Sequence, residues 1–83
     1  MNKKESTIFG IYPIKEAIKA DVVFDKVYFQ KDLVSDKLEE LQRLLQEDNV
    51  TISHVPVEKL NRLTKGNHQG IVGISSPITF HTI

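Results

Sequence analysis

The sequence predicts an α/β domain whose helices cover a sheet, because strand-like and helix-like segments alternate along the chain. A length of 83 residues suits one domain with a single small core. The chain contains no cysteine, so neither disulfides nor thiolate metal ligands can supplement that core. His54, His68 and His81 lie too far apart in sequence for the spacing of a zinc site. We therefore expect a compact domain without a metal.

The first half of the chain begins with a predicted strand at 7–9, which ends at Gly10. A helix is then expected to open at Tyr12 and Pro13. Proline would occupy the first helical position, where its missing N–H costs nothing. Apolar residues at helical spacing continue this helix to about residue 20. A β-branched and aromatic segment at 27–29 predicts the second strand.

The clearest helix of the sequence begins at Asp36. Glu39, three residues later, suggests an arrangement like a capping box. Leucines form one face of this helix and acidic residues the other, and Asn49 is expected to end it. Alternation of apolar and polar residues at 50–54 then predicts a half-buried third strand.

The last third of the chain contains a short helix, a polar loop and a fourth strand. Pro56 opens the helix, and an apolar run at 71–74 forms the strand. We expect a solvated tail at 1–6 and the domain itself at 7–77. The segment 78–83 keeps apolar residues at alternate positions, and we interpret it as the start of a connection to a further domain.

Charge is balanced overall but unevenly distributed along the chain. The formal net charge is zero, which argues against a strong non-specific binder of nucleic acid. Basic residues outnumber acidic ones before residue 21 and after residue 53, whereas acidic residues dominate between them. No apolar run approaches the ~20 residues that cross a bilayer, and the N-terminus lacks the apolar region of a signal peptide. We expect a cytoplasmic protein without a membrane partner.

The most informative segment is the loop at 65–70. Gly66 and Gly70 bracket Asn67, His68 and Gln69, and glycine allows a backbone to approach a ligand closely. The three polar side chains carry donors and acceptors suited to ribose hydroxyls, base edges or phosphates. A tight turn whose side chains cap neighbouring backbone groups explains the same residues, and the loop alone does not distinguish the two interpretations.

The order of these motifs resembles the N-terminal substrate-binding domain of SpoU/TrmH-type RNA ribose 2′-O-methyltransferases. Residues 8–18 (IFGIYPIKEAI) are similar to the family's first strand and helix start, and residues 26–29 (KVYF) to its second strand. Residues 55–64 (VPVEKLNRLT), followed by 66–72 (GNHQGIV), are similar to its third helix and characteristic loop. Tyr12 departs from the pattern, because the family usually has histidine at that position.

The resemblance implies a three-layer α/β/α sandwich around a four-stranded mixed sheet, similar to small kink-turn-binding ribosomal proteins. The fourth strand would lie antiparallel beside the first, so that the loop meets the start of the first helix and the acidic second helix lies elsewhere. Phosphate contacts from arginine and lysine, and stacking by tyrosine, would then form an RNA surface. Its candidate residues are Tyr12, Lys15, Arg62, Lys65, Gly66, Asn67, His68, Gln69 and Gly70.

The function implied is recognition of structured RNA, ribosomal or transfer RNA, for a catalytic domain that follows in the parent enzyme. That C-terminal methyltransferase domain would bind S-adenosylmethionine, and this chain would bind no cofactor itself. The sequence has no nucleophile or carboxylate pair in a catalytic context. The isolated chain is expected to be monomeric. Two alternatives remain: an independent kink-turn-type RNA-binding protein, and a protein-docking module favoured by the acidic, leucine-faced second helix.

Overall fold

The structure is a computed structural model that describes residues 6–75. Within them, four strands and three helices alternate, and the predicted α/β fold with a mixed four-stranded sheet is confirmed. The parts of the predicted tail and connection at 1–5 and 78–83 lie outside the described residues. The elements are β1 (Ser6–Phe9), α1 (Ile11–Lys19), β2 (Phe24–Gln30), α2 (Asp36–Glu47), β3 (Thr51–Val55), α3 (Val57–Leu63) and β4 (Ile71–Ser75).

The strands are ordered β1-β4-β2-β3 across the sheet. β4 lies antiparallel to both of its neighbours, with Phe9 of β1 opposite Val72 and Phe29 of β2 opposite Ile71. β2 and β3 are parallel. The prediction that the fourth strand lies antiparallel beside the first is confirmed, and the end of β1 and the start of β4 therefore share one edge of the sheet.

The main core lies between one face of the sheet and the packed helices α1 and α2. Val27 and Phe29 project into it from β2, because alternate residues of a strand face the same side. Fully burying an aliphatic or phenyl side chain contributes about 1.5–3 kcal/mol, so this cluster supplies much of the domain's stability. Its buried members are Ile14, Ala17, Phe24, Val27, Phe29, Leu38, Leu41, Leu45 and Ile71.

Tyr28 alternates with these core residues of β2 and is half-buried. The ammonium of Lys59, on α3, lies 5.4 Å from the centroid of its ring. Leu60 of α3 and Val72 of β4 are fully buried, and α3 packs against β2 and β4. The likeness to small kink-turn-binding ribosomal proteins, including the three-layer sandwich, stays a prediction.

Helix α1 begins earlier than the sequence predicts. It starts at Ile11, so Pro13 occupies the third helical position and not the first. Proline is tolerated there because the first four N–H groups of a helix have no partner within it. The Ile14 N–H donates to the Gly10 carbonyl at 3.2 Å, which places the first intrahelical bond just after the proline.

Helix α2 lacks the predicted capping arrangement. Ser35 is its N-cap residue and makes no side-chain capping bond. Asp36 and Glu39 lie in the first turn, where their negative charges interact favourably with the helix dipole. The predicted end is confirmed, because Asn49 follows the helix with a φ of 60°, a left-handed conformation that asparagine tolerates.

The leucine face of α2 is buried inside the domain. Leu38, Leu41 and Leu45 are 4%, 2% and 1% exposed, so this face packs against the protein's own core. The leucine face favoured a protein-docking module in the sequence analysis. Its burial in the core of the domain now explains it. Among residues 6–75, no helix is long and apolar enough to cross a membrane.

Candidate nucleic-acid interface

The polar loop meets the start of helix α1, as predicted. The Gly10 N–H donates to the Ile71 carbonyl at 3.2 Å, which extends the β1–β4 pairing by one bond. The Ile11 N–H donates to the side-chain Oε1 of Gln69 at 2.8 Å. Gln69 thus satisfies one of the unpaired N–H groups at the start of α1 and ties two segments that are 58 residues apart in sequence.

His68 holds the loop between α3 and β4. Its Nδ1 accepts a hydrogen bond from the Gly70 N–H at 3.0 Å, so the proton of the neutral ring resides on Nε2. Nε2 lies 2.8 Å from Oδ1 of Asn61 and donates to it. Both ring nitrogens are therefore occupied inside the protein. The sequence analysis missed Asn61, because its position on α3 carries no signal beyond helical spacing.

The two glycines of the loop are required by packing. A Cβ on Gly66 would overlap the ring of Phe9, and a Cβ on Gly70 would overlap Cδ2 of Leu33. Gly70 also has a φ of 86°, in the left-handed region that favours glycine. Close packing within the protein therefore accounts for both residues, and their predicted contact with RNA stays a prediction.

Three predicted site residues present free polar groups. Arg62 at the end of α3, Lys65 and Asn67 are exposed, and among residues 6–75 no hydrogen bond or ion pair engages their side chains. The backbone beside them is held, since the Gly66 N–H donates to Oγ1 of Thr64 at 3.1 Å. A guanidinium at the end of α3, with an ammonium and an amide on the loop that follows, forms a surface suited to phosphate and ribose oxygens.

Tyr12 and Lys15 face a cavity of about 240 Å³ next to the loop. Gln69 lines the same cavity, together with Lys37 and Glu40 of helix α2. The expectation that the acidic second helix lies away from this surface is therefore wrong. Because α1 packs directly against α2, the first turns of both helices reach the same end of the sheet. Within residues 6–75, no cluster of three or more histidine or carboxylate side chains could hold a metal.

We expect His68→Ala to destabilise the loop and the domain together. The substitution leaves the half-buried Gly70 N–H without its acceptor, which costs about 1–3 kcal/mol. Asn61→Ala is the matched control, because it removes the exposed partner of the same ring and leaves the Gly70 bond in place. Urea denaturation followed by circular dichroism should show the larger loss for His68→Ala. A larger or equal loss for Asn61→Ala would contradict the role assigned to Nδ1.

Comparisons with known proteins show the family to which the chain is similar. The family described as RNA 2′-O ribose methyltransferase substrate binding matches residues 7–80. A protein of Bacillus subtilis (strain 168), named as the TrmH family tRNA/rRNA methyltransferase YacO, is 26% identical over 72 residues, which are 87% of this chain and 29% of that protein. TrmH family tRNA/rRNA methyltransferases of Staphylococcus saprophyticus and Staphylococcus haemolyticus are 25% and 23% identical over 77 residues, 93% of this chain and 31% of each.

The chain spans about three tenths of the length of the curated relatives it matches. The family match, in contrast, covers the loop, the start of α1 and, from residue 7 onward, each strand and helix in the described part of the chain. The chain belongs to the family of RNA 2′-O ribose methyltransferase substrate-binding domains.

Proposed function

We propose that this chain is the RNA-recognition domain of an S-adenosylmethionine-dependent RNA 2′-O-ribose methyltransferase that acts on ribosomal or transfer RNA in the cytoplasm. The match of residues 7–80 to a substrate-binding family is the observation that carries the proposal. The names of the relatives support both RNA classes. Methyl transfer, and the binding of S-adenosylmethionine that supplies the methyl group, would belong to a separate C-terminal domain of the parent enzyme.

The task of this domain is to hold RNA so that one ribose 2′-hydroxyl reaches the catalytic domain. Arg62 and Lys65 would bind backbone phosphates, the arginine through two parallel hydrogen bonds. Asn67 would contact a ribose hydroxyl or a base edge, since its amide both donates and accepts. Holding the substrate in this way can lower the barrier of a reaction without any chemical group from this domain.

The rigidity of the loop supports this task. His68 binds Asn61 and Gly70 through its two ring nitrogens, and Gln69 binds Ile11 through its Oε1. These bonds fix the backbone that presents Lys65 and Asn67. A surface ordered before binding avoids part of the entropy cost of association. On this view these hydrogen bonds serve RNA binding by positioning the loop, and Arg62, Lys65 and Asn67 contact the phosphates and ribose.

The proposal predicts that Arg62→Gln/Lys65→Gln weakens binding to structured RNA about tenfold or more at low salt, because two charge-assisted contacts are lost. The slope of log affinity against log salt concentration should fall by about 1 for each phosphate contact removed. Asn67→Ala should lower affinity without changing that slope. The measurement is a titration of the 83-residue chain with unmodified transfer RNA and with a ribosomal RNA hairpin, at several salt concentrations.

Lys19→Gln/Arg43→Gln is the charge-matched control. Both residues are exposed, at the end of α1 and on α2, and the double variant removes the same positive charge as the site variant. If the control and the site variant bind RNA equally, the loop surface is not the interface. A wild-type chain that binds neither RNA would overturn the proposed function itself.

A further inference from the structure

We propose that the cavity between the N-terminal halves of α1 and α2 holds one unstacked nucleobase of the RNA, with guanine as the preferred base. Tyr12 would supply the stacking surface, and Glu40 and Gln69 would read the base edge. The inference rests on the proposed function, since it assigns a nucleotide subsite to the same RNA surface. It adds helix α2 to an interface for which the sequence analysis named residues of α1, α3 and the loop.

Among residues 6–75, Tyr12 is the aromatic residue whose side chain is most exposed to solvent. It is 72% exposed, whereas Phe29 is buried and Phe9 and Tyr28 are half-buried. An exposed aromatic ring at the mouth of a cavity is the arrangement by which proteins hold bases splayed out of single-stranded loops. Stacking on such a ring contributes measurably to affinity for each base.

The amide of Gln69 is fixed in one orientation. Its Oε1 accepts from the Ile11 N–H at 2.8 Å, so its Nε2 remains as a donor for a group in the cavity. Glu40 lines the same cavity and, when ionised, its carboxylate is an acceptor. The cavity therefore offers one donor whose orientation is set by the fold, and one carboxylate.

Guanine matches that pair of groups. Its O6 accepts a hydrogen bond, and its N1–H and N2–H₂ groups donate side by side, as a carboxylate requires for two parallel bonds. Uracil has a single N–H between two carbonyl oxygens. It can therefore donate only one hydrogen bond to the carboxylate, and its carbonyl oxygens repel that group. Each good bidentate pair discriminates between bases by about tenfold or more.

Lys15 and Lys37 make the cavity positive despite Glu40. Their side chains line it together with the carboxylate, and among residues 6–75 none of the three is committed to an ion pair. Two ammonium groups beside one carboxylate leave a net positive charge for the phosphates that flank the base. Ile11 and Leu41 supply the apolar floor on which a flat ring can rest.

The test compares two short single-stranded oligoribonucleotides of equal length. One contains only uridines, and the other has a central guanosine. Their charges are equal, so a difference in affinity reports the base. Nuclear magnetic resonance titration of the 15N-labelled chain should show tighter binding of the guanosine-containing strand by about tenfold, with the largest shifts at Tyr12, Glu40 and Gln69. Tyr12→Ala should weaken binding of that strand about tenfold, and Tyr12→Trp should restore it.

Glu40→Gln tests the reading of the base, because an amide replaces one of the two acceptor oxygens by an NH2 donor and so cannot accept two parallel hydrogen bonds. The preference for guanosine should fall to near unity in this variant and persist in Glu47→Gln, which alters an exposed carboxylate at the far end of the same helix. Equal affinity of the wild type for both strands would overturn the subsite. The proposed function still stands after that outcome if structured RNA binds and its binding depends on Arg62 and Lys65. If the chain binds no RNA at all, both the subsite and the proposed function are overturned.

Discussion

Gly70→Ala is expected to lower the free energy of unfolding by about 3 kcal/mol, through two separate causes. An L-residue in the left-handed region costs about 1–2 kcal/mol, and Gly70 has a φ of 86°. In addition, the new methyl group would overlap Cδ2 of Leu33. Moving this partly exposed side chain adds a cost at the low end of the about 1–3 kcal/mol that is typical of overpacking. Urea denaturation of the chain measures the sum.

The two causes can be separated with a second substitution. Leu33 is 42% exposed, so Leu33→Ala alone should cost little. In the Gly70→Ala/Leu33→Ala double variant the overlap with Leu33 is removed and the backbone strain remains, so the double variant should recover part of the lost stability. A double-mutant cycle gives this coupling energy directly. Strictly additive losses would show that Leu33 is not the obstacle.

Ile14→Ala is expected to cost about 2–5 kcal/mol, the usual range for truncating a fully buried aliphatic side chain. Ile14 is 0% exposed and lies in the main core, where its Cδ1 approaches Gly73 of β4. Such a loss is a large fraction of the stability of a small domain. Thermal and urea unfolding of the variant should both show a non-cooperative or strongly shifted transition.

Ile18→Ala is the matched control for this substitution. Ile18 lies one turn later on the same helix, is half-buried and packs against the edge of the same core. The helix propensity of the two variants changes equally, so the difference between them reports burial. The loss for Ile18→Ala should be clearly the smaller of the two. Equal losses would mean that the cavity left by Ile14 does not decide the effect, since alanine is the better helix former at both positions.

The positions of the strands could be predicted from the sequence because each follows from local composition. The apolar run at Ile71, the alternation around Ile52 and the aromatic pair at Tyr28 each lie in the strand expected. The left-handed Asn49 was equally predictable, since asparagine tolerates that conformation. The start of α2 at Asp36 was predicted as well, but the start of α1 and the capping of α2 were not. Proline is compatible with several positions of a first turn, and a capping box depends on side-chain rotamers that the pattern does not specify.

The roles of His68 and Gln69 could not be derived from the sequence. Each was a reasonable candidate for RNA contact, and the alternative of a structural loop was equally open. The distinction depends on partners brought by tertiary structure: the Ile11 N–H for Gln69 and the Asn61 side chain for His68. For the same reason the cavity beside Tyr12 was not foreseen, because Lys37 and Glu40 enter it only through the packing of α2 on α1.

The position of β4 has a consequence for biosynthesis. This strand comes last among the described elements, yet it lies between β1 and β2. While the chain is being made, the edge of β1 has no partner until residues 71–75 have left the ribosome tunnel. Because pairing between distant segments is slow to form, β1 should join the sheet late. The loop held by His68 should become ordered only when β4 takes its place between β1 and β2.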